Sequence, residues 1–305
     1  MKLNKIQSAG LSVVSNLFLT LLKLVVGLIS GSISIIAESA HSGIDLLASL
    51  VAYYSVRASD EPPDHKHPYG HSKIENLSGL IEGALIFMVS LWIIVEGIDR
   101  LRQPKELSHL QIGIGIMFVS LILNLVVSRI LFKVARQTHS IALEADASHL
   151  YSDVLTSGGV IVALILILLS EKLFGKALFW IDPVVSFFIA LWILGIGFRV
   201  IKKSYPALLD QRAEPELEAR VKKLIEDFCK GECTYHKLRT RQAGAKIHLD
   251  FHLQFKPETP IEKAHQLSHQ LKAELESKFP TAEIIIHLEP LEFPQIDKPQ
   301  IKPKI

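Results

Sequence analysis

LEADASHLYSDVLTSGGVIVALILILLS, residues 143–170, decides how the chain folds. A bilayer core of about 30 Å needs roughly 20 apolar residues in a helix, and this segment exceeds that without a proline. It also carries His149 and Asp153, spaced i, i+4, so both lie on one face of the helix. Ionisable groups are expensive in lipid and default to a functional role. A second apolar segment, residues 33–57, repeats the pattern with His41 and Asp45. Two such faces turned together offer two imidazole nitrogens and two carboxylate oxygens, a tetrahedral set suited to Zn2+. The bland alternative is two unrelated polar pairs stitching helices together. Its occurrence twice, in separate apolar spans, disfavours it.

Four more segments of the required length surround these two: residues 10–30, 77–98, 109–133 and 179–200. The first two of the six are separated only by Ser30-Gly31-Ser32, which predicts a tight helical hairpin. The lysine and arginine bias places both termini inside. Lys2, Lys5, Arg57, Lys66, Lys73, Lys133, Arg136, Arg199, Lys202 and Lys203 then fall inside, against Arg100, Arg102, Lys105, Lys172 and Lys176 outside. No cleavable signal-peptide pattern is visible at the start.

Charge divides the chain. Half of its 64 charged side chains lie in the last 100 residues, 16 of each sign. The expected organisation is a six-helix transmembrane domain over 1–205, a cytoplasmic α/β domain of order α-β-β-α-β over 206–290, and a loose tail over 291–305. Residues 246–255 alternate Ile247, Leu249, Phe251, Leu253 and Phe255 with polar residues, which predicts a half-buried strand. The 49% hydrophobic content excludes a disordered chain, and two cysteines exclude a disulfide framework. Cys229 and Cys233 read as ordinary cytosolic thiols. A net charge of +2 with no basic run excludes a nucleic-acid partner.

Two further regions carry metal-ligand chemistry. The loop DEPPDHKHPYGHSKIE spaces Asp64, His67 and His71 as D-x-x-H-x-x-x-H, enough for three ligands. The solvated histidine-rich loop is an equal reading from the residues alone. The C-terminal domain holds His236, His248, His252, His265, His269 and His287, with Glu289 two residues beyond the last. Six histidines in so small a domain, several on matched faces, point to metal binding. Glu38 and Glu82 lie in spans and serve either an approach path or interhelical bonding, while Glu96, Glu144 and Asp146 are expected near span ends, within reach of water.

With these motifs, the six spans, the His67–Glu75 run HPYGHSKIE, HKLRTRQAG at His236–Gly244 and IIIHLEP at Ile284–Pro290, the chain resembles the cation diffusion facilitator family along nearly its whole length. The resemblance implies a homodimeric divalent-metal/proton antiporter in the cytoplasmic membrane, exporting metal, with a metallochaperone-like cytoplasmic domain. It implies a transport site of His41, Asp45, His149 and Asp153, of the zinc-preferring form, and a loop site of Asp64, His67 and His71. It also implies a paired, dimer-bridging site of His236, His252, His265 and His287, with Glu289 where relatives carry aspartate. Lys73 and Asp210 match an ion pair between the two domains. Zn2+ is then cargo and a regulatory ligand, with Fe2+, Mn2+, Co2+ and Cd2+ as alternatives, and membrane lipid and protons are the other partners.

Ligand chemistry supplies the coupling. Metal binds neutral imidazole and carboxylate, so loading expels protons. Three competitors fare worse. An organic-cation exporter needs an aromatic-lined cavity, a membrane metalloprotease needs a set such as H-E-x-x-H, and a non-transporting metal sensor needs no paired ligands in two spans.

Overall fold

The computed structural model describes residues 3–30, 33–102, 110–176, 178 and 180–291. Gly31 and Ser32 of the expected hairpin hinge and residues 292–305 of the expected tail lie outside them. The chain forms two compact units, Met1–Leu209 and Asp210–Ile305.

The first unit is all helical: α1 (Lys5–Ser30), α2 (Ile33–Ser59), α3 (Lys73–Arg102), α4 (Leu110–Thr138), α5 (Ile141–Phe174) and α6 (Ile181–Leu208). Five of these are long and apolar enough to cross a membrane among the described residues. The sixth, α2, has the length but is less apolar, because Glu38, His41, Asp45 and several serines interrupt it. The outer surface is apolar: Ile29, Trp92 and Phe188 are 82%, 62% and 66% exposed, as lipid-facing side chains must be. The fold is a helical transmembrane domain of these five helices, with α2 plausible as the sixth.

The helix α5 packs against each of the other five, and α2 packs against α1, α3 and α5. Two buried glycines, Gly83 of α3 and Gly197 of α6, set the α3–α6 contact. A Cβ on Gly197 would come within 2.9 Å of the Phe87 backbone nitrogen and 3.1 Å of the Gly83 carbonyl oxygen. Neither backbone can yield, so only glycine permits this approach. At one end of the bundle, buried Glu75 of α3 accepts hydrogen bonds from Ser140 (2.6 Å) and Ser59 (2.8 Å) and pairs with Lys5 at 2.6 Å. That carboxylate ties α1, α2 and α3 to Ser140, the N-cap of α5, whose Oγ also accepts the Leu143 amide hydrogen.

The second unit contains α7 (Pro215–Cys229), β1 (Thr234–Ala243), β2 (Lys246–Phe255), α8 (Ile261–Lys278) and β3 (Ala282–Pro290), in the expected order. The central strand β2 pairs antiparallel with β1 and parallel with β3, and α8 makes the crossover that a parallel pair requires. The apolar side of β2 is buried as its alternation predicts, with Leu249, Phe251 and Leu253 packed against Val221 and Ile225 of α7 and Leu271 and Leu275 of α8. His248 departs from the half-buried pattern. It is buried too, with its Nδ1 3.4 Å from Glu283.

The cysteines differ from expectation. Cys229 and Cys233 form a disulfide, with Cα atoms 4.9 Å apart. Lys230 and Gly231 both adopt positive φ just after α7, and this turns the chain back on itself. Spacing alone cannot show such a turn.

Candidate metal centres

Inside the helical unit, α2 and α5 bring Asp45, His149 and Asp153 together. One ligand atom from each lies within 4.8 Å of the others, and His149 Nε2 is 3.2 Å from Asp45 Oδ1. Asp45 and His149 are 8% and 7% exposed, so both are shielded from bulk water. A backbone contact holds α2 in place here: Asn16 donates from Nδ2 to the Asp45 carbonyl oxygen at 3.4 Å. His41, one turn before Asp45 on α2, stands outside this group of three. Its ring centroid is 6.5 Å from that of Trp92 on α3, at 57°. The set as arranged is one imidazole and two carboxylates.

Polar residues around this centre include several that sequence reasoning missed or misplaced. Lys23, the lone cation inside the first apolar run, is buried; its ammonium donates to Ser42 (2.7 Å) and to Glu38 (3.0 Å). Glu38 therefore acts as an interhelical partner. Asp146, expected near water, is 1% exposed and accepts a hydrogen bond from Ser12 of α1 at 3.0 Å. The residue lies five positions inside α5, whose first turns are covered by neighbouring helices. Glu82 is buried with Ser78 3.4 Å away.

The second group is the loop between α2 and α3. Asp64 Oδ1 accepts the backbone N–H groups of Lys66 (2.8 Å) and His67 (2.6 Å), and the His67 amide holds this carboxyl below its ordinary range. His67 Nδ1 lies 3.2 Å from Asp64 and 3.1 Å from His71 Nε2. Gly70, at φ 79°, makes the left-handed turn that brings His71 back over His67.

The third group owes its geometry to sheet register. His236 pairs with His252 across β1–β2, and His252 with His287 across β2–β3, so three imidazoles stand abreast on the polar face. Glu289 lies two residues beyond His287, on the same face, and both its oxygens are used. His236 Nε2 is 2.7 Å from one and His252 Nδ1 is 2.6 Å from the other. Burial acts to raise the Glu289 pKa, yet the hydrogen bonds from His252 and His236 hold it below the ordinary value. His287 is exposed, 3.6 Å from Glu289. His265 does not join them. It sits on the exposed side of α8 beside His269, with ring centroids 4.4 Å apart. The apolar face of α8 covers the opposite side of the sheet from the histidine row. Lys73 and Asp210 fall in different units: Lys73 reaches the Leu208 carbonyl oxygen at 3.5 Å, and Asp210 pairs with Arg241 at 2.7 Å.

Fold and site together define a multi-pass membrane protein with buried metal-type ligands. Comparison with known families gives the class its identity. The family profile described as cation efflux transmembrane domain matches residues 10–209, and that described as cation efflux protein, cytoplasmic domain, matches residues 213–291. The chain belongs to the cation diffusion facilitator family and is a cation efflux transporter, not an enzyme. Among its relatives are an uncharacterised transporter of Synechocystis, 31% identical over 90% of this chain and 86% of the relative. The cation-efflux pump FieF of Shewanella oneidensis is 30% identical over 92% of both chains, and that of Yersinia pestis is 34% identical over 86% of this chain and 84% of its own. A solved zinc form of CzrB aligns with 27% of this chain and 93% of its own, at 35% identity and a TM-score of 0.26.

Proposed function

We propose that this transporter exports divalent metal, Zn2+ foremost, from the cytoplasm in exchange for protons. Asp45, His149 and Asp153 are its transport site, and His41 is the fourth donor. The observation that carries this reading is the meeting of three ligand groups from two membrane helices within 4.8 Å. Buried carboxylates in lipid must be paired, protonated or metal-bound, and a site that alternates between the last two is an exchanger. Metal loading needs neutral imidazole and ionised carboxylate, so each ion entering displaces protons. Release to a more acidic side reverses this, because an unperturbed histidine titrates near 6.5.

The protein works as a homodimer in the cytoplasmic membrane, with both termini and the C-terminal domain in the cytoplasm. His236, His252 and Glu289 form one half of a cytosolic metal site in that domain. His265, on the far side of the layer in its own chain, and exposed His287 serve a paired site that two copies build together. The Asp64, His67 and His71 loop takes a further ion.

A second reading rests on the donor count. With His41 turned to Trp92, one imidazole and two carboxylates form a harder set, which narrows the advantage of Zn2+ over Fe2+ or Mn2+. A competition transport assay separates the two. In proteoliposomes, Zn2+ should outcompete Fe2+, Mn2+, Co2+ and Cd2+, and His41→Asp should weaken that preference. Equal transport of Mn2+ and Zn2+ by the unaltered protein would overturn the zinc assignment. Absence of flux for every divalent ion would overturn the transport reading itself.

A further inference from the structure

Away from all three ligand groups, two hollows of about 510 and 500 Å3 meet at Arg129 and Phe132. They follow a groove over the first turns of α5, between the ends of α4 and α6, both of which pack on α5. Its rims are cationic. Arg129, Lys133 and Arg136 share one face of α4 by their spacing, and Arg199 and Lys203 share one face of α6. Lys203 is paired with Glu144 at 2.6 Å. Among the described residues, no carboxylate stands within ion-pair distance of the other four. The groove does not share the face of α5 that bears the buried ligand group. Glu144, Ser148 and Tyr151, which line it, project from the face of α5 opposite to His149 and Asp153.

Both rims continue away from the groove as exposed apolar stripes. On α4 the row runs Ile122, Val126, Arg129; on α6 it runs Phe188, Trp192, Arg199. An isolated arginine near a helix end merely snorkels to the membrane boundary. Two rows that converge on one hollow, each changing from apolar to basic along the helix, have the polarity of a phospholipid. We propose that this groove binds an anionic glycerophospholipid, its phosphate between Arg129 and Arg199 and its acyl chains along the two stripes. Basic pockets between membrane helices are suited to such headgroups, and the stripes distinguish a lipid from free phosphate.

Native mass spectrometry of the full-length protein in detergent tests this. The probes are phosphatidylglycerol and phosphatidylcholine with the same acyl chains. The protein should retain phosphatidylglycerol and release phosphatidylcholine, and millimolar inorganic phosphate should not displace the lipid. The double variant Arg129→Gln/Arg199→Gln should retain at least about tenfold less phosphatidylglycerol. Lys172→Gln/Lys176→Gln, which removes the same charge elsewhere, should behave as the parent. Equal retention of both lipids by the unaltered protein would overturn the proposal whether or not any variant folds. So would displacement by inorganic phosphate, full retention by the Arg129/Arg199 variant, or an equal loss in the lysine control.

Discussion

At the scale of residues, His41 and His149 look equivalent in sequence, each four positions before an aspartate on an apolar helix, yet the fold treats them differently. His149 is 3.2 Å from Asp45, whereas His41 faces Trp92. His41 must turn from Trp92 to become the fourth donor, so His41→Ala is expected to weaken metal affinity less than His149→Ala does, measured by indicator-dye competition. Spacing told which helix face each side chain occupies. It could not tell side-chain rotation, which depends on what α3 presents opposite. Glu289 gives a pH test on metal-free protein. Its carboxyl is held below the ordinary value of 4.5, so its contribution to stability is complete above that pH and is lost as pH falls through the depressed value. The melting-temperature gap between the parent and Glu289→Gln should be present at neutral pH and close under acid. A gap that persists below both values would show that His252 and His236 do not set it.

At the scale of elements, periodicity and composition located the helices of the bundle and the central strand, because both depend on local patterns of apolar residues. Contacts that depend on the register of one element against another were not legible. The row His236–His252–His287 exists because β1 is antiparallel and β3 parallel to β2, and the α8 crossover decides the second of these. The Cys229–Cys233 pairing depends on two positive-φ residues, and the burial of Lys23 on where α2 lies. Gly197→Ala should cost about 1–3 kcal/mol by forcing α3 and α6 apart, while Gly195→Ala, whose added methyl meets nothing within 4 Å, should not lower the melting temperature in detergent. Glu75→Ala should be worse, about 3 kcal/mol, since it takes from Lys5 its buried partner, leaving Asp60 at 2.7 Å, and from the Ser59 and Ser140 hydroxyls their shared carboxylate at the meeting of α1, α2, α3 and α5. If Glu75→Ala melts as the parent does, that junction contributes nothing.

At the scale of the whole molecule, the chain divides into a transmembrane unit, where a few ionisable groups are concentrated, and a charge-balanced unit carrying a row of histidines. The family follows from both together: the profile matches cover residues 10–209 and 213–291. The proposed exchange of metal for protons takes place at one buried site. Its most direct test records zinc and proton movement together, in one preparation of proteoliposomes, with dyes for each. The parent should move zinc one way and protons the other at a fixed ratio, and Asp45→Ala and Asp153→Ala should each abolish both fluxes while the protein still assembles. Zinc flux without proton counterflow, or parent-like flux in both variants, would contradict it.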